Sequence, residues 1–381
     1  MSLPATILAT KPFVFVGLLS YPLYLWHWPI LAFSRYWLGT QLATPVILTI
    51  LAATFLMAYL SWRFVETQLR RGLLFRNKKP IILGICLTTP VLVTLSLAII
   101  VNHGFPLRVP KEVMRYDAGS LSKAFRHKIT TERVRRDNLP VFGDEQGKLS
   151  CLVWGDSHAG ALIPGIDAAC KNRGVRGYQA TNPVTPPLFD FIYVSGKGHG
   201  LKEKTPAFNQ AILEYMRKHK IDVAILGGFW LRYATKPSFE NQLIKTIDEL
   251  TNSGIFVVIV LDVATHQKFH PHTLAMHTWR SRTPLDTSIS LESHRSRNKL
   301  CDEIIMRVAK GNVVVADPSP FFINSSGRWQ YANSGETLYR DSGHLSVKGG
   351  LRLTPLFEDV FDLIKKRKST SRVAQVTRQP E

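Results

Sequence analysis

Three long apolar stretches, residues 13–34, 43–62 and 81–101, crowd into the first 102 positions, and none of them contains Lys, Arg, Asp or Glu. A bilayer core of about 30 Å takes roughly 20 helical residues, each rising about 1.5 Å, with every backbone group paired inside the helix. Each stretch is therefore predicted to be a transmembrane helix. A cleavable signal peptide does not fit the first one, which lacks a small-residue cleavage site and is followed by a second span. The eight basic residues of this region all lie outside the apolar stretches. Arg70, Arg71, Arg76, Lys78 and Lys79 share the loop between the second and third, which marks that loop as cytoplasmic. Lys11 is then also inside, and everything after His103 is outside.

The remainder has a different character. Of 48 basic and 28 acidic residues, 40 and 27 fall in residues 103–381, as in a water-soluble domain. Residues 103–147 are polar, basic and poorly periodic, and read as a linker. From residue 148 short apolar runs alternate with helical patterns, which predicts strands at 151–154, 175–180, 223–226, 256–261 and 313–316. Helices are expected at 159–172, 206–218, 239–252, 291–309 and 347–365. That order gives a three-layer α/β/α domain with a mainly parallel sheet over residues 148–366. A basic, disordered tail is expected at 367–381.

Two motifs carry chemistry. The first strand runs into Gly155-Asp156-Ser157-His158 at the opening of a helix, which puts the Ser157 hydroxyl at the carboxyl edge of the sheet. Unpaired N–H groups and the helix dipole are available there to an oxyanion. Read alone, Asp156 and Ser157 serve equally well as helix caps. The second motif, Asp341-Ser342-Gly343-His344, lies before the last helix. A serine needs an imidazole to take its proton, and the imidazole needs a carboxylate to orient it. Ser157, His344 and Asp341 are the expected catalytic residues.

Resemblances extend this reading. The run Ser20-Tyr21-Pro22-Leu23-Tyr24-Leu25-Trp26-His27-Trp28-Pro29, followed by Trp62-Arg63-Phe64-Val65-Glu66-Thr67, resembles the last helices of the acyltransferase-3 family of membrane O-acyltransferases. His27 is a candidate membrane-site residue, since an ionisable group at membrane depth is costly; an interfacial aromatic belt around Trp26 and Trp28 explains it equally well. The early helices of that family have no counterpart here. The expectation is that acetyl-CoA serves as donor only through a membrane acyltransferase unit completed by other helices, so that this chain alone does not O-acetylate a polysaccharide. The two soluble motifs resemble the first and last blocks of the SGNH (GDSL-like) hydrolase superfamily, in the version fused after an acyltransferase-3 domain. That superfamily adds a Gly after the second strand and an Asn after the third. Here the third strand runs Ile225-Leu226-Gly227-Gly228-Phe229-Trp230, with an aromatic at the Asn position. The oxyanion donors expected are the Ser157 N–H, Gly228 and, after the second strand, Asn182.

Other signals carry less. His266, His270, His272 and His277 match no zinc-ligand spacing and are expected in a polar surface loop, with no metal. Residues 196–200, Gly-Lys-Gly-His-Gly, lack the setting of a dinucleotide loop. Cys86 lies in a span, and no disulfide is assigned among Cys151, Cys170 and Cys301. The basic excess outside the membrane part suits anionic lipids or acidic glycans better than nucleic acid. The resemblances imply a multi-pass protein of the bacterial inner membrane with its C-terminal domain in the periplasm, without a bound cofactor. That domain is expected to transfer acetyl groups to a surface polysaccharide or its lipid-linked precursor. A periplasmic carbohydrate acetylesterase and a non-catalytic glycan-binding remnant are the alternatives.

Overall fold

The computed structural model describes residues 8–39, 42–67, 78–121, 125, 127–195, 198–267, 269–281, 285–333 and 335–376. Most of the basic loop at 70–79, Gly196 and Lys197 of the glycine-rich loop, and residues 377–381 lie outside the described residues. The chain divides into two compact units, residues 1–111 with 276–282, and residues 112–275 with 283–381.

The first unit holds α1 (Lys11–Leu38), α2 (Thr44–Ser61) and α3 (Lys78–Val101). All three are long and apolar enough to cross a membrane, α2 by continuing through a π-helical turn at Trp62–Glu66. α1 and α2 meet where Phe15 packs edge-on against Trp62, with ring centroids 5.7 Å apart. No side chain in the apolar segment Ile82–Val101 of α3 is buried. A bare apolar face of that length is stable in lipid and not in water. His27 donates its Nδ1–H to Tyr24 O at 2.7 Å on its own helix, which satisfies that ring nitrogen locally.

The second unit is built on a six-stranded sheet. Its strands are β1 (Val141–Gly143), β2 (Leu149–Gly155), β3 (Val175–Thr181), β4 (Val223–Gly227), β5 (Phe256–Val260) and β6 (Val313–Ala316). They lie in the order β1-β3-β2-β4-β5-β6, all parallel except β1. β4 and β5 are buried along their whole length, as expected for parallel strands covered on both faces. Leu152, Trp154, Leu226, Val257 and Ile259 join one core with α5 (Thr205–Lys218), α6 (Phe239–Asn252) and α7 (Leu291–Val308). The other face is covered by α4 (Ser157–Arg173) and α8 (Thr354–Val376). The chain moves from β2 to β3 on one side and then to β4 on the other. This makes the carboxyl end of β2 the switch point at which open α/β sheets form their crevices.

Three expectations need correction. Residues 103–147 are not a mere linker: β1 pairs with β3, and Ile129, Val134 and Leu139 are buried in the core. The elements there are too short to display a periodicity. The tail does not become disordered at residue 367, because α8 runs on to Val376. Lys and Arg are good helix formers, and Lys368 pairs with Asp222 while Arg367 donates to Gly311 O. The histidine-rich stretch is not one loop, since Pro271–Ser281 is a helix that begins on its proline and carries His272 and His277. Cys151 and Cys170 are buried free thiols with sulfurs 3.7 Å apart, and Cys301 is buried as well.

Gly155 has φ 152, and a Cβ there would lie 1.7 Å from Gly227 O. Gly155→Ala is expected to destabilise the second unit by about 2–4 kcal/mol, read as a lower urea midpoint of the detergent-solubilised chain. An unchanged midpoint would contradict this packing.

His294 is buried, and the half-buried His158 has its ring packed between Phe229 and His344. Burial, followed by the charge of His344, lowers the His158 pKa to about 3. Burial lowers that of His294 to about 4. Both ordinarily titrate near 6.5. The stability that comes from keeping them neutral is therefore fully present above that pH and is lost as pH falls towards the folded values. Each proton taken up on unfolding adds about 1.4 kcal/mol per pH unit to the slope. Unfolding free energies between pH 7 and pH 4.5 should show a shallower acid slope in His158→Phe than in the wild type. Identical slopes would mean that His158 is not held neutral.

Candidate active site

The site begins where β2 ends. Asp156 caps α4: its Oδ1 accepts the His158 N–H at 2.7 Å. Its Oδ2 accepts the Phe229 N–H at 3.0 Å and the Tyr233 hydroxyl at 2.6 Å. Burial and then the Asp156 charge push the Tyr233 phenol well above its ordinary pKa, so it remains a donor. One carboxylate thereby ties the Ser157 turn to the loop after β4. Ser157 is the first helical residue, and its backbone N–H has no partner within the helix.

On the opposing turn, Asp341 Oδ1 accepts the N–H groups of Gly343 at 3.0 Å and His344 at 2.8 Å. The same carboxylate takes the His344 Nδ1–H, at 2.9 Å to either oxygen. An ionised carboxylate only accepts, so the proton is assigned to Nδ1, and Nε2 is left to accept the Ser157 hydroxyl at 2.7 Å. Burial alone would raise the Asp341 pKa. The hydrogen bond and charge of His344, with the two backbone donors, override it and hold the carboxyl well below the usual carboxylate range. The turn is further fixed by the His266 N–H donated to Ser342 O at 2.8 Å. The three residues form the hydrogen-bonded relay Ser157–His344–Asp341, which has the geometry needed to activate a serine hydroxyl.

Ser157, Asp341 and Asn182 line a cavity of about 280 Å³ together with Phe125, His127, Lys128, Thr181 and Arg340. Asn182 spends one Nδ2 hydrogen on Ile129 O at 2.8 Å, and an amide nitrogen has a second. Gly228 is not part of this cavity. It lines a separate one of about 10 Å³ with His158, Asp262 and Gly343. His27 belongs to the first unit.

Sequence reasoning missed the wall from 125 to 128, which lay in the stretch taken as a linker. It also missed the packing behind the imidazole. Arg232 lies 4.6 Å from the centre of the Phe229 ring, Phe229 stacks on His158 at 4.7 Å and 14°, and His158 leans on His344 at 4.6 Å. Phe229, one of the two aromatics that follow Gly228, thus supports the ring stack behind His344. The pattern Gly155-Asp156-Ser157-His158 contained the signal for His158, but a histidine after the nucleophile has no single reading from spacing.

Comparisons with known proteins bear on the family and the fold of the chain. A stretch of the chain is 38% identical over 105 residues to the O-acetyltransferase OatA of Staphylococcus aureus (strain NCTC 8325 / PS 47), covering 25% of this chain and 17% of that protein. The protein of the same name from strain MRSA252 is 42% identical over 71 residues, covering 18% and 12% respectively. The match thus spans less than a fifth of the length of these curated relatives. The solved periplasmic domain of a lipopolysaccharide acetyltransferase from Salmonella ser. Paratyphi A superposes with a TM-score of 0.50 at 16% identity. It covers 66% of this chain and 97% of the solved domain, a likeness of fold. The family described as the SGNH domain fused to AT3 domains matches residues 126–359, more than half of the chain and all of the sheet, nucleophile turn and Asp341–His344 turn, and the chain belongs to that family.

Proposed function

We propose that the second unit transfers an acetyl group to a hydroxyl of a surface polysaccharide or its lipid-linked precursor through an ester on Ser157. The observation that carries this reading is the 2.7 Å contact from Ser157 Oγ to His344 Nε2, backed by Asp341 and opening on a cavity large enough for a sugar hydroxyl. Membership of a family fused to acyltransferase-3 domains, and the acetyltransferase names of the relatives, support transfer as the reaction. The apolar helices support a membrane location, with the Arg70 loop in the cytoplasm and the catalytic unit on the periplasmic side of a bacterial inner membrane.

The chemistry follows from the relay. Ser157 Oγ attacks the acetyl carbonyl while its proton moves to His344 Nε2, and Asp341 stabilises the imidazolium. The oxyanion forms at the start of α4, where the Ser157 N–H and the positive end of the helix favour it; the second Asn182 amide hydrogen is the further donor. Collapse releases the donor's leaving group with the proton from His344 and leaves Ser157 O-acetylated. The acceptor hydroxyl then loses its proton to His344 and takes the acetyl group, regenerating the serine. The acetyl group comes from acetyl-CoA by way of a membrane acyltransferase unit, since the charged coenzyme does not cross the hydrocarbon core.

In the absence of a glycan, water is the acceptor, so the detergent-solubilised chain should hydrolyse an activated acetyl ester. Ser157→Ala and His344→Ala are each expected to lower turnover by about 10³-fold or more, and Asp341→Asn by less. Wild-type turnover in Ser157→Ala would remove the nucleophile assignment.

A further inference from the structure

The catalytic cavity has a wall that the relay does not use, formed by Phe125, His127 and Lys128. Phe125 has φ 58, a left-handed backbone conformation that is uncommon for a bulky aromatic. It is held there by Gln179, whose Nε2–H donates to the Phe125 carbonyl at 3.0 Å. Gln179 is fully buried in β3 and also donates to Thr181 Oγ1 at 2.7 Å. The Phe125 ring meets Phe142 of β1 edge-on at 5.9 Å. Strained conformations of this kind persist where the surroundings over-determine them, and they gather at ligand clamps.

The charges around the cavity are unevenly spent. Asp156 is filled by two N–H groups and a hydroxyl. Asp341 is filled by His344, two backbone donors and Arg340, whose Nε lies 3.6 Å away. Lys128 is exposed and forms no ion pair with a described residue. Phe125, Asn182 and Thr181 line the cavity, and Lys128 adds a cation that pairs with no described residue. Aromatic rings and hydrogen-bonding side chains suit a sugar, and an unspent ammonium suits an anion.

We propose that this wall is the acceptor subsite, and that the acceptor is a sugar bearing an anionic group that pairs with Lys128 while its ring lies on Phe125. This rests on the reading of Ser157 as the acyl-carrying serine, because the same cavity must hold acceptor and ester together.

The test measures binding without chemistry. The full detergent-solubilised chain carrying Ser157→Ala is titrated, by ligand-observed NMR, with methyl glucoside, methyl glucuronide and glucose 6-phosphate. The two anionic sugars should bind about tenfold more tightly than the neutral one, the worth of one charge-assisted contact. The tighter of the two identifies the anion as carboxylate or phosphate. The advantage should vanish at ~0.5 M salt and in Lys128→Glu, and Phe125→Ala should weaken all three. Equal affinities, an advantage that survives Lys128→Glu, or no binding of any sugar would overturn the proposal. Because Ser157→Ala forms no ester, these outcomes are independent of the acylation reading, which the ester assay decides separately.

Discussion

The site depends on what one buried carboxylate does at a crowded place in the sheet. Where β2 passes β4, Gly155 lies so close to Gly227 that no side chain fits, and the chain must turn at once into α4. Asp156 accepts from His158, Phe229 and Tyr233. It thereby caps the helix and anchors the loop after β4 with the same two oxygens. Without those contacts the Ser157 hydroxyl would have no fixed direction, and a relay spanning 187 residues of sequence needs one. Capping and nucleophile placement, competing readings of this turn in the sequence, are here a single arrangement: Asp156 caps so that Ser157 can face His344.

The opposing turn solves a different problem. Asp341 organises its own loop through the N–H groups of Gly343 and His344 and still offers an oxygen to the His344 ring. Behind that ring lies His158, kept neutral by burial and pressed between His344 and Phe229. A neutral ring at this place fills space without setting a positive charge against the His344 ring. The aromatic that follows β4 in place of the superfamily pattern is therefore tied to the support of His344.

Much of this was legible in the sequence because parallel strands buried on both faces read as unbroken apolar runs. The unbroken runs at 151–154, 223–226, 256–261 and 313–316 each correspond to a strand, and so does 175–180, although Arg176 and Gln179 interrupt it. Ser157, Asp341 and His344 were legible because serine activation demands those residue types at those element ends. Illegible were features whose partners are distant in sequence. Three residues of β1 become a strand only by pairing with β3, and Phe125 becomes a wall only because Gln179 holds its carbonyl. Asn182 lies in the Ser157 cavity and Gly228 does not, a distinction set by the path of the chain beyond each strand end and not by residue type.

The central claim is that Ser157 carries the acetyl group. The most direct measurement is mass analysis of the full chain after brief exposure to an activated acetyl ester and an acid quench, with the modified peptide sequenced. The account predicts one acetyl group per chain, located on Ser157 and absent from Ser157→Ala. An unmodified Ser157 under conditions of ester turnover, or an acetyl group that remains on the chain in Ser157→Ala, would contradict it.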